Sequence, residues 1–327
     1  MRTHLLRTFL TAAAVAAVMA SPLSAATELL SGIHVIRGSF APGSQPDGNT
    51  VILEAPEGLV VIDTGRHTAH TQAILDFAKK TARPITAVIN THWHLDHIGG
   101  NALIRREYRA ARIYASGALQ DAMTGFLANY RGQLKAMIAD ATSTPEARKS
   151  FEAELVLIDA GPKLAPDVVI SASGPTTISG RTLRLGLETN AVTAGDVWIL
   201  DETTGVLIAG DLVTLPAPFL DTACPARWQE SLDRLAKLDF DLLIPGHGAP
   251  MTRTQFASYR SAYRNLLACA AVADTPKEQC IDGWVRTVAP LMSGFDEQFK
   301  RALMGYYMDV LRGDPAKNAR LCASPSE

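Results

Sequence analysis

The run His92-Trp93-His94-Leu95-Asp96-His97 constrains this chain more than any other segment. Three imidazoles and one carboxylate fall within six residues of a chain that has only eight histidines. Directly before the run, Ile85–Asn90 is a continuous apolar stretch, the kind of strand buried on both faces of a sheet. Directly after it, Gly99-Gly100 lets the backbone turn tightly into the next element. Such a strand delivers polar residues to its C-terminal end, where open α/β folds carry their sites. In an extended segment His92 and His94 point the same way. A turn at Asp96-His97 can then redirect two more groups to a second position nearby. Imidazole and carboxylate suit a borderline ion such as zinc, and iron or manganese accept the same set. The plain alternative is a polar surface loop.

The rest of the chain reads as strands and helices, a helical stretch, then strands and helices again. Short β-branched strands are expected at Ile33–Arg37, Asn49–Glu54 and Leu59–Ile62, the last ended by Asp63-Thr64-Gly65. A helix is expected from His67 to about Thr81, another from Ile98 to Arg106, and a strand at Arg112–Ala115. Leu119 to about Leu157 reads as mostly helical, broken at Thr142-Ser143-Thr144-Pro145, where Ser143 or Thr144 with Pro145 makes a helix start. Strands return at Val168–Ser171, Thr182–Leu187, Val197–Asp201, Val206–Ala209 and Leu242–Ile244, with a helix at Gln229–Leu238. From Thr252 the pattern is helical to near Arg312. This order predicts two packed sheets with helices outside. No linker divides the chain, so one domain is expected over residues 26–327, with a helical insert at about 117–158 and a helical C-terminal extension at about 252–327.

The beginning of the chain reads differently. Arg2 and Arg7 precede an apolar run from about Phe9 to Met19, followed by Ser21-Pro22 and Leu23-Ser24-Ala25-Ala26. That is the pattern of a secretory signal peptide, residues 1–25, with cleavage after Ala25 or Ala26. The run is shorter than the roughly 20 residues that span a bilayer. No stable membrane insertion is therefore expected after cleavage, and the location is periplasmic or secreted. Cys224, Cys269, Cys280 and Cys322 fit an oxidising compartment. Three pairings are possible. The first expectation is Cys269 with Cys280, stapling a short loop between helical segments, which leaves Cys224 for Cys322. The formal charge of −2 argues against a nucleic-acid partner. A small-molecule substrate is expected; the oligomeric state is not legible.

The segment from Thr91 to Asn101 resembles the His-x-His-x-Asp-His signature of the metallo-β-lactamase superfamily. Three further elements occur in that family's order. Val61-Ile62-Asp63-Thr64-Gly65 is similar to its strand-ending Asp-x-Gly element, Ala209-Gly210-Asp211-Leu212 to its Gly-Asp element, and Pro245-Gly246-His247-Gly248 to its late Gly-His-Gly element. The likeness runs from about Ile33 to Met251. It implies a four-layer αβ/βα sandwich of two mixed sheets, with one or two metal ions at the edge between them. Carried over, His92 and His94 would hold the first ion, Asp96, His97 and His247 the second, and Asp211 would bridge. Asp63 would orient the ligand loop rather than bind metal.

One position departs from the family pattern. A third histidine for the first ion usually comes from a His-Thr-x-Gly-Asp segment, and here that segment reads Val192-Thr193-Ala194-Gly195-Asp196. Three outcomes follow: one metal in the second site; a substitute ligand from Asn190, Glu188 or His67; or binding without catalysis. His67 and His70 also read simply as exposed residues on a first helical turn. If the protein is catalytic, the resemblance implies hydrolysis of an ester, thioester, amide or similar bond by metal-activated water, with Asp96 or Asp211 as proton acceptor. Leu215-Pro216-Ala217-Pro218-Phe219-Leu220 is a candidate rim, the helical insert a candidate lid, and Trp93 a candidate cleft residue; ordinary packing explains each equally well.

Overall fold

Strands buried on both faces must be covered twice, and this requirement dictates the architecture. The computed structural model describes residues 25–40, 45–292 and 294–323. The expected signal peptide therefore lies outside the described residues, apart from Ala25. One sheet has the order β1 (Thr27–Leu30), β2 (Ile33–Ile36), β3 (Thr50–Ala55), β4 (Gly58–Ile62), β5 (Ile85–Ile89), β6 (Arg112–Ser116) and β7 (Val168–Ile170). The other comprises β8 (Gly174–Ile178), β9 (Arg181–Glu188), β10 (Asp196–Asp201), β11 (Val206–Thr214), β12 (Leu242–His247) and β13 (Met251–Thr252), in the order β13-β12-β11-β10-β9-β8. Both sheets are mixed: β4, β5, β6 and β7 pair in parallel, as do β11 and β12, while the remaining neighbours are antiparallel.

Side chains alternate across each strand, so each sheet has two apolar faces. Val60, Ile62, Ala87 and Ile89 meet Leu185, Val197, Ile199, Ile208 and Ile244 in a layer between the sheets. On the outer face of the first sheet, Leu59, Val61, Ile85 and Val88 pack against α1 (Thr68–Lys80) and against α3 (Asn101–Glu107), which follows the single turn α2 (Leu95–Ile98). Thus the expected helix over 98–106 is two pieces, because Gly99-Gly100 interrupts it. A Cβ on Gly100 would meet the Thr64 carbonyl at 2.5 Å, so close packing against the Asp-Thr-Gly turn requires glycine there.

The insert comprises α4 (Ala118–Thr124), α5 (Phe126–Ala139) and α6 (Pro145–Asp159). Thr144 caps α6 by accepting from the Ala147 amide, with Pro145 at the first helical position. A second break, at Gly125, was not read from the sequence. The outer face of the second sheet carries α7 (Pro225–Leu235) and α8 (Arg253–Ala271), the latter begun by a Thr252/Gln255 capping box. Beyond them lie α9 (Lys277–Val288), α10 (Glu297–Leu311) and α11 (Pro315–Cys322). Trp228, Tyr259, Tyr263, Trp284 and Tyr307 fill this layer. The four layers are those of an αβ/βα sandwich. Both expected disulfides are present, Cys269–Cys280 and Cys224–Cys322. No helix among the described residues is long and apolar enough to cross a membrane.

The extension also holds the proline-rich loop after β11. The Trp284 indole donates to the Pro216 carbonyl at 2.9 Å, and the Tyr306 hydroxyl donates to Asp221 at 2.6 Å. Leu215, Ala217 and Leu220 are buried, so most of this candidate rim is packing.

Candidate metal centre

Three strand ends and the irregular middle of β11 converge at one edge of the sandwich. Asp63 follows β4, β5 feeds His92 to His97, β11 carries Asp211 within its length and β12 ends in His247. The β11–β12 register shifts on both sides of Gly210, so this stretch of β11 departs from regular pairing. All six predicted ligand residues are buried, and they fall into two groups: His92, His94 and Asp211; and Asp96, His97 and His247.

Hydrogen bonds decide which ring nitrogens face inward. The Thr91 hydroxyl donates to Asp63 Oδ2 at 2.7 Å, which leaves it to accept from His92 Nδ1 at 3.0 Å. Likewise the Thr222 hydroxyl donates to the Val192 carbonyl at 3.0 Å and accepts from His94 Nε2 at 3.0 Å. His97 Nδ1 meets Asp63 Oδ2 at 2.7 Å. Each ring thus carries a proton on its outer nitrogen. His92 Nε2 and His94 Nδ1 then face each other at 2.9 Å, close enough to share a proton or to hold a cation.

Spacing gives an independent test. Tetrahedral donors about 2.1 Å from one zinc ion stand about 3.4 Å apart. In the second group, Asp96 Oδ2 to His247 Nε2 is 3.0 Å, His97 Nε2 to His247 Nε2 is 3.4 Å, and His97 Nε2 to Asp96 Oδ2 is 3.7 Å. Asp211 Oδ2 lies 3.7 Å from His92 Nε2, and its Oδ1 lies 3.4 Å from His97 Nε2 and 3.6 Å from His247 Nε2. The two oxygens of Asp211 therefore address different groups. Asp211 Oδ1 and His247 Nδ1 are buried without a hydrogen-bond partner among the described residues. Buried polar atoms are rarely left so, and a bound ion would account for the carboxylate oxygen.

Charge tells the same story. Burial, with His97 and His94 nearby, holds His92 well below the ordinary imidazole range, and burial lowers His94 to about 4. Burial alone would lower His97 too, but the carboxylates of Asp211, Asp63 and Asp96 hold it well above its usual value. Burial would raise Asp96 and Asp211, and both are instead held down, Asp96 by His97, His247 and Arg66, Asp211 by His247, His97 and His92. The cluster is short of positive charge, the electrostatic condition for binding a cation.

Asp63 sits at φ +60°, an unusual backbone for a non-glycine residue. Its carboxylate accepts from the Thr91 amide at 2.8 Å, the Thr91 hydroxyl and the His97 ring, so it pins the ligand loop as expected. Val192 is fully buried, and its amide and that of Thr193 donate to Asp196. Burial pushes the Asp196 carboxyl up to about 8 against those donors. Of the three substitute ligands, Glu188 and His67 join neither group. Glu188 receives Trp198, Ser231 and Arg234; Asn190 donates to the Ala323 carbonyl; and His67 pairs with Asp47. His70 is buried and bonded to Thr50 rather than exposed.

Several residues escaped the sequence reading. Asn49 donates to the Pro245 and Gly248 carbonyls, both at 2.9 Å, tying the two sheets together beside His247. Gly48 passes so close that a Cβ would meet the His97 ring at 2.4 Å, and its amide donates to the Asp96 carbonyl. The turn-forming tripeptide Asp47-Gly48-Asn49 was the available signal. Thr222 offered none, since it meets His94 from 128 residues away. Aromatic rings flank the site: Trp93 and Phe219 edge-on to His94 at 4.7 and 4.8 Å, Phe40 to His247 at 5.1 Å. Trp93 is buried beneath the insert, against Phe126.

The "Linear primary-alkylsulfatase" of Pseudomonas sp. (strain ATCC 19151) is 28% identical over 222 residues, which cover 62% of this chain and 41% of that protein. The chain thus matches about two-fifths of the relative's length. Among solved structures, a Beta-lactamase domain protein from Burkholderia ambifaria aligns at 21% identity over 89% of this chain and 87% of its own, with TM-score 0.59. The stereoselective inverting sec-alkylsulfatase from Pseudomonas sp. aligns at 21% identity over 90% of this chain and 51% of its own, with TM-score 0.58. These structural likenesses speak to the fold. The model of the metallo-beta-lactamase superfamily matches residues 44–247, a span that holds every donor described above, and the chain belongs to that superfamily.

Proposed function

We propose that this protein is an exported, zinc-dependent hydrolase that cleaves an ester-type bond in a small molecule. The observation that carries this reading is the pair of donor groups sharing Asp211, one oxygen toward each. In it, His92, His94 and Asp211 would hold one ion, and Asp96, His97, His247 and Asp211 a second; iron or manganese would suit the same donors. Bound there, the metal would supply Lewis acidity and a water acidified toward neutrality. The chain's own residues supply the rest. Asp63, Thr91 and Thr222 fix the imidazoles, and Asp96 or Asp211 would take up a proton. Phe219 and Phe40, partly exposed beside His94 and His247, offer apolar surface at the site, which favours a substrate with an apolar group next to the scissile bond. The relative's name makes sulfate esters the first class to try, with carboxylic esters and thioesters next. Export is supported by the signal-like start and by two disulfides.

The test is turnover of a primary alkyl sulfate, an aryl ester, a thioester and a β-lactam by protein purified without chelator. The reading expects at least one to be cleaved, with loss on chelation, recovery with zinc, and none by Asp211→Ala. Bound metal without any turnover would favour the second reading, a metal-binding accessory protein, for which the buried Val192 at the missing histidine position is the specific support.

A further inference from the structure

The insert reaches the metal centre through one charged residue. The buried stripe of α6 is Ala147, Phe151, Glu154 and Ile158, helical spacing with an acid among apolar neighbours. Glu154 is 4% exposed, and burying a carboxylate is costly without a hydrogen-bonded partner. That partner is Arg66, whose Nη1 donates to Glu154 Oε2 in a short contact. Arg66 directly follows the Asp-Thr-Gly turn and is anchored on its other sides. Its amide donates to Asp47 Oδ1 at 2.7 Å, and its Nε to the Pro46 carbonyl at 3.2 Å. The remaining arm, Nη2, lies 3.5 Å from Asp96 Oδ1.

The two oxygens of Asp96 are therefore divided. Oδ1 faces Arg66, while Oδ2 faces His247 at 3.0 Å within the second donor group. A planar, forked guanidinium can hold two carboxylates at fixed angles, which a lysine ammonium cannot. We propose that Arg66 and Glu154 are positioning residues for the second metal: Glu154 sets the Arg66 fork, and Arg66 turns Asp96 so that Oδ2 is presented to the ion. Docking of α6 and affinity of the second group are then one coupled quantity, and the coupling is reciprocal. This rests on Asp96 being a ligand. The competing role for the ion pair is a fastener that holds the insert and leaves the metal untouched.

The two roles separate in a zinc titration of the metal-free full chain against a competing chelator, with amide exchange of α6 followed in parallel. Glu154→Gln should weaken the second group by about 10- to 100-fold, the usual cost of losing an outer partner, and leave the first within about twofold of wild type. Arg66→Lys should do the same with the charge kept. Phe151→Ala loosens α6 without touching Arg66 directly, so by the same coupling it should weaken the second group, but less than Glu154→Gln does. Zinc should slow α6 exchange in wild type and lose that effect in Glu154→Gln. Unchanged second-group affinity in both Arg66→Lys and Glu154→Gln, alongside faster α6 exchange, would leave only the fastener and overturn the proposal. Wild type that binds no zinc at all would overturn the metal reading itself, an outcome visible before any variant is made.

Discussion

Around His97 two supports are charged, with Asp63 holding its ring and Arg66 facing the neighbouring Asp96, and the backbone of Gly48 closes over the imidazole while its amide holds the Asp96 carbonyl. Around His94 they are hydroxyls: Thr91 holds His92, and Thr222 links His94 to the Val192 carbonyl. The second group has two imidazoles and a carboxylate of its own, with the bridging Asp211 beside them. The first has two imidazoles and that same Asp211, with valine where a third imidazole would stand. A carboxylate behind an imidazole raises its basicity as a ligand more than a hydroxyl does. Two neighbouring sites on one scaffold should therefore bind the same ion with unequal strength. The Thr193–Asp196 hydrogen bonds persist around Val192, so the loop survives without the ligand.

The largest effect belongs to the residue that the two groups share. Asp211→Ala should weaken both by more than about 100-fold, beyond the loss expected of an outer partner, so that metal per chain falls toward zero by elemental analysis. Retention of either ion would break the bridging assignment. Val192→His should erase the asymmetry. First-group affinity should rise about tenfold or more as a third imidazole arrives, at about 1–3 kcal/mol of stability for overpacking a sealed position. No gain in bound metal would mean the pocket has closed over the vacancy.

Thr222→Val should lower first-group affinity by about tenfold and spare the second, while Thr222→Ser should restore it. An equal loss at both groups would show that Thr222 acts on the fold and not on His94. Smallest for the metals is Asn49→Ala. It strips two buried carbonyls of their donor and should cost about 1–3 kcal/mol in urea unfolding, with less change in zinc affinity than Thr222→Val.

Much of this comparison was legible in the sequence, because its signals are local. The ligand run, the Asp-Thr-Gly turn and Gly246-His247-Gly248 each sit at a strand end, Gly210-Asp211 marks the irregular middle of β11, and apolar runs such as Val206–Ala209 announce strands covered twice. The missing imidazole was visible at Val192 for the same reason. What escaped was relational. Thr222 matters only because the loop after β11 folds back on His94. Glu154 is an ordinary helical acid until α6 buries it, although its place on the Ala147, Phe151, Ile158 stripe was a clue. The edge strand β8 was also missed, since Gly174-Pro175-Thr176-Thr177 reads as a turn and pairs only with β9.

The central claim, one strong and one weak metal group sharing Asp211, is tested most directly by calorimetric titration of metal-free protein with zinc, beside His97→Ala and His94→Ala. The account predicts two steps of unequal affinity, with the tighter lost in His97→Ala and the weaker lost in His94→Ala. Two equal steps, or a tight step that survives His97→Ala and vanishes in His94→Ala, would contradict it.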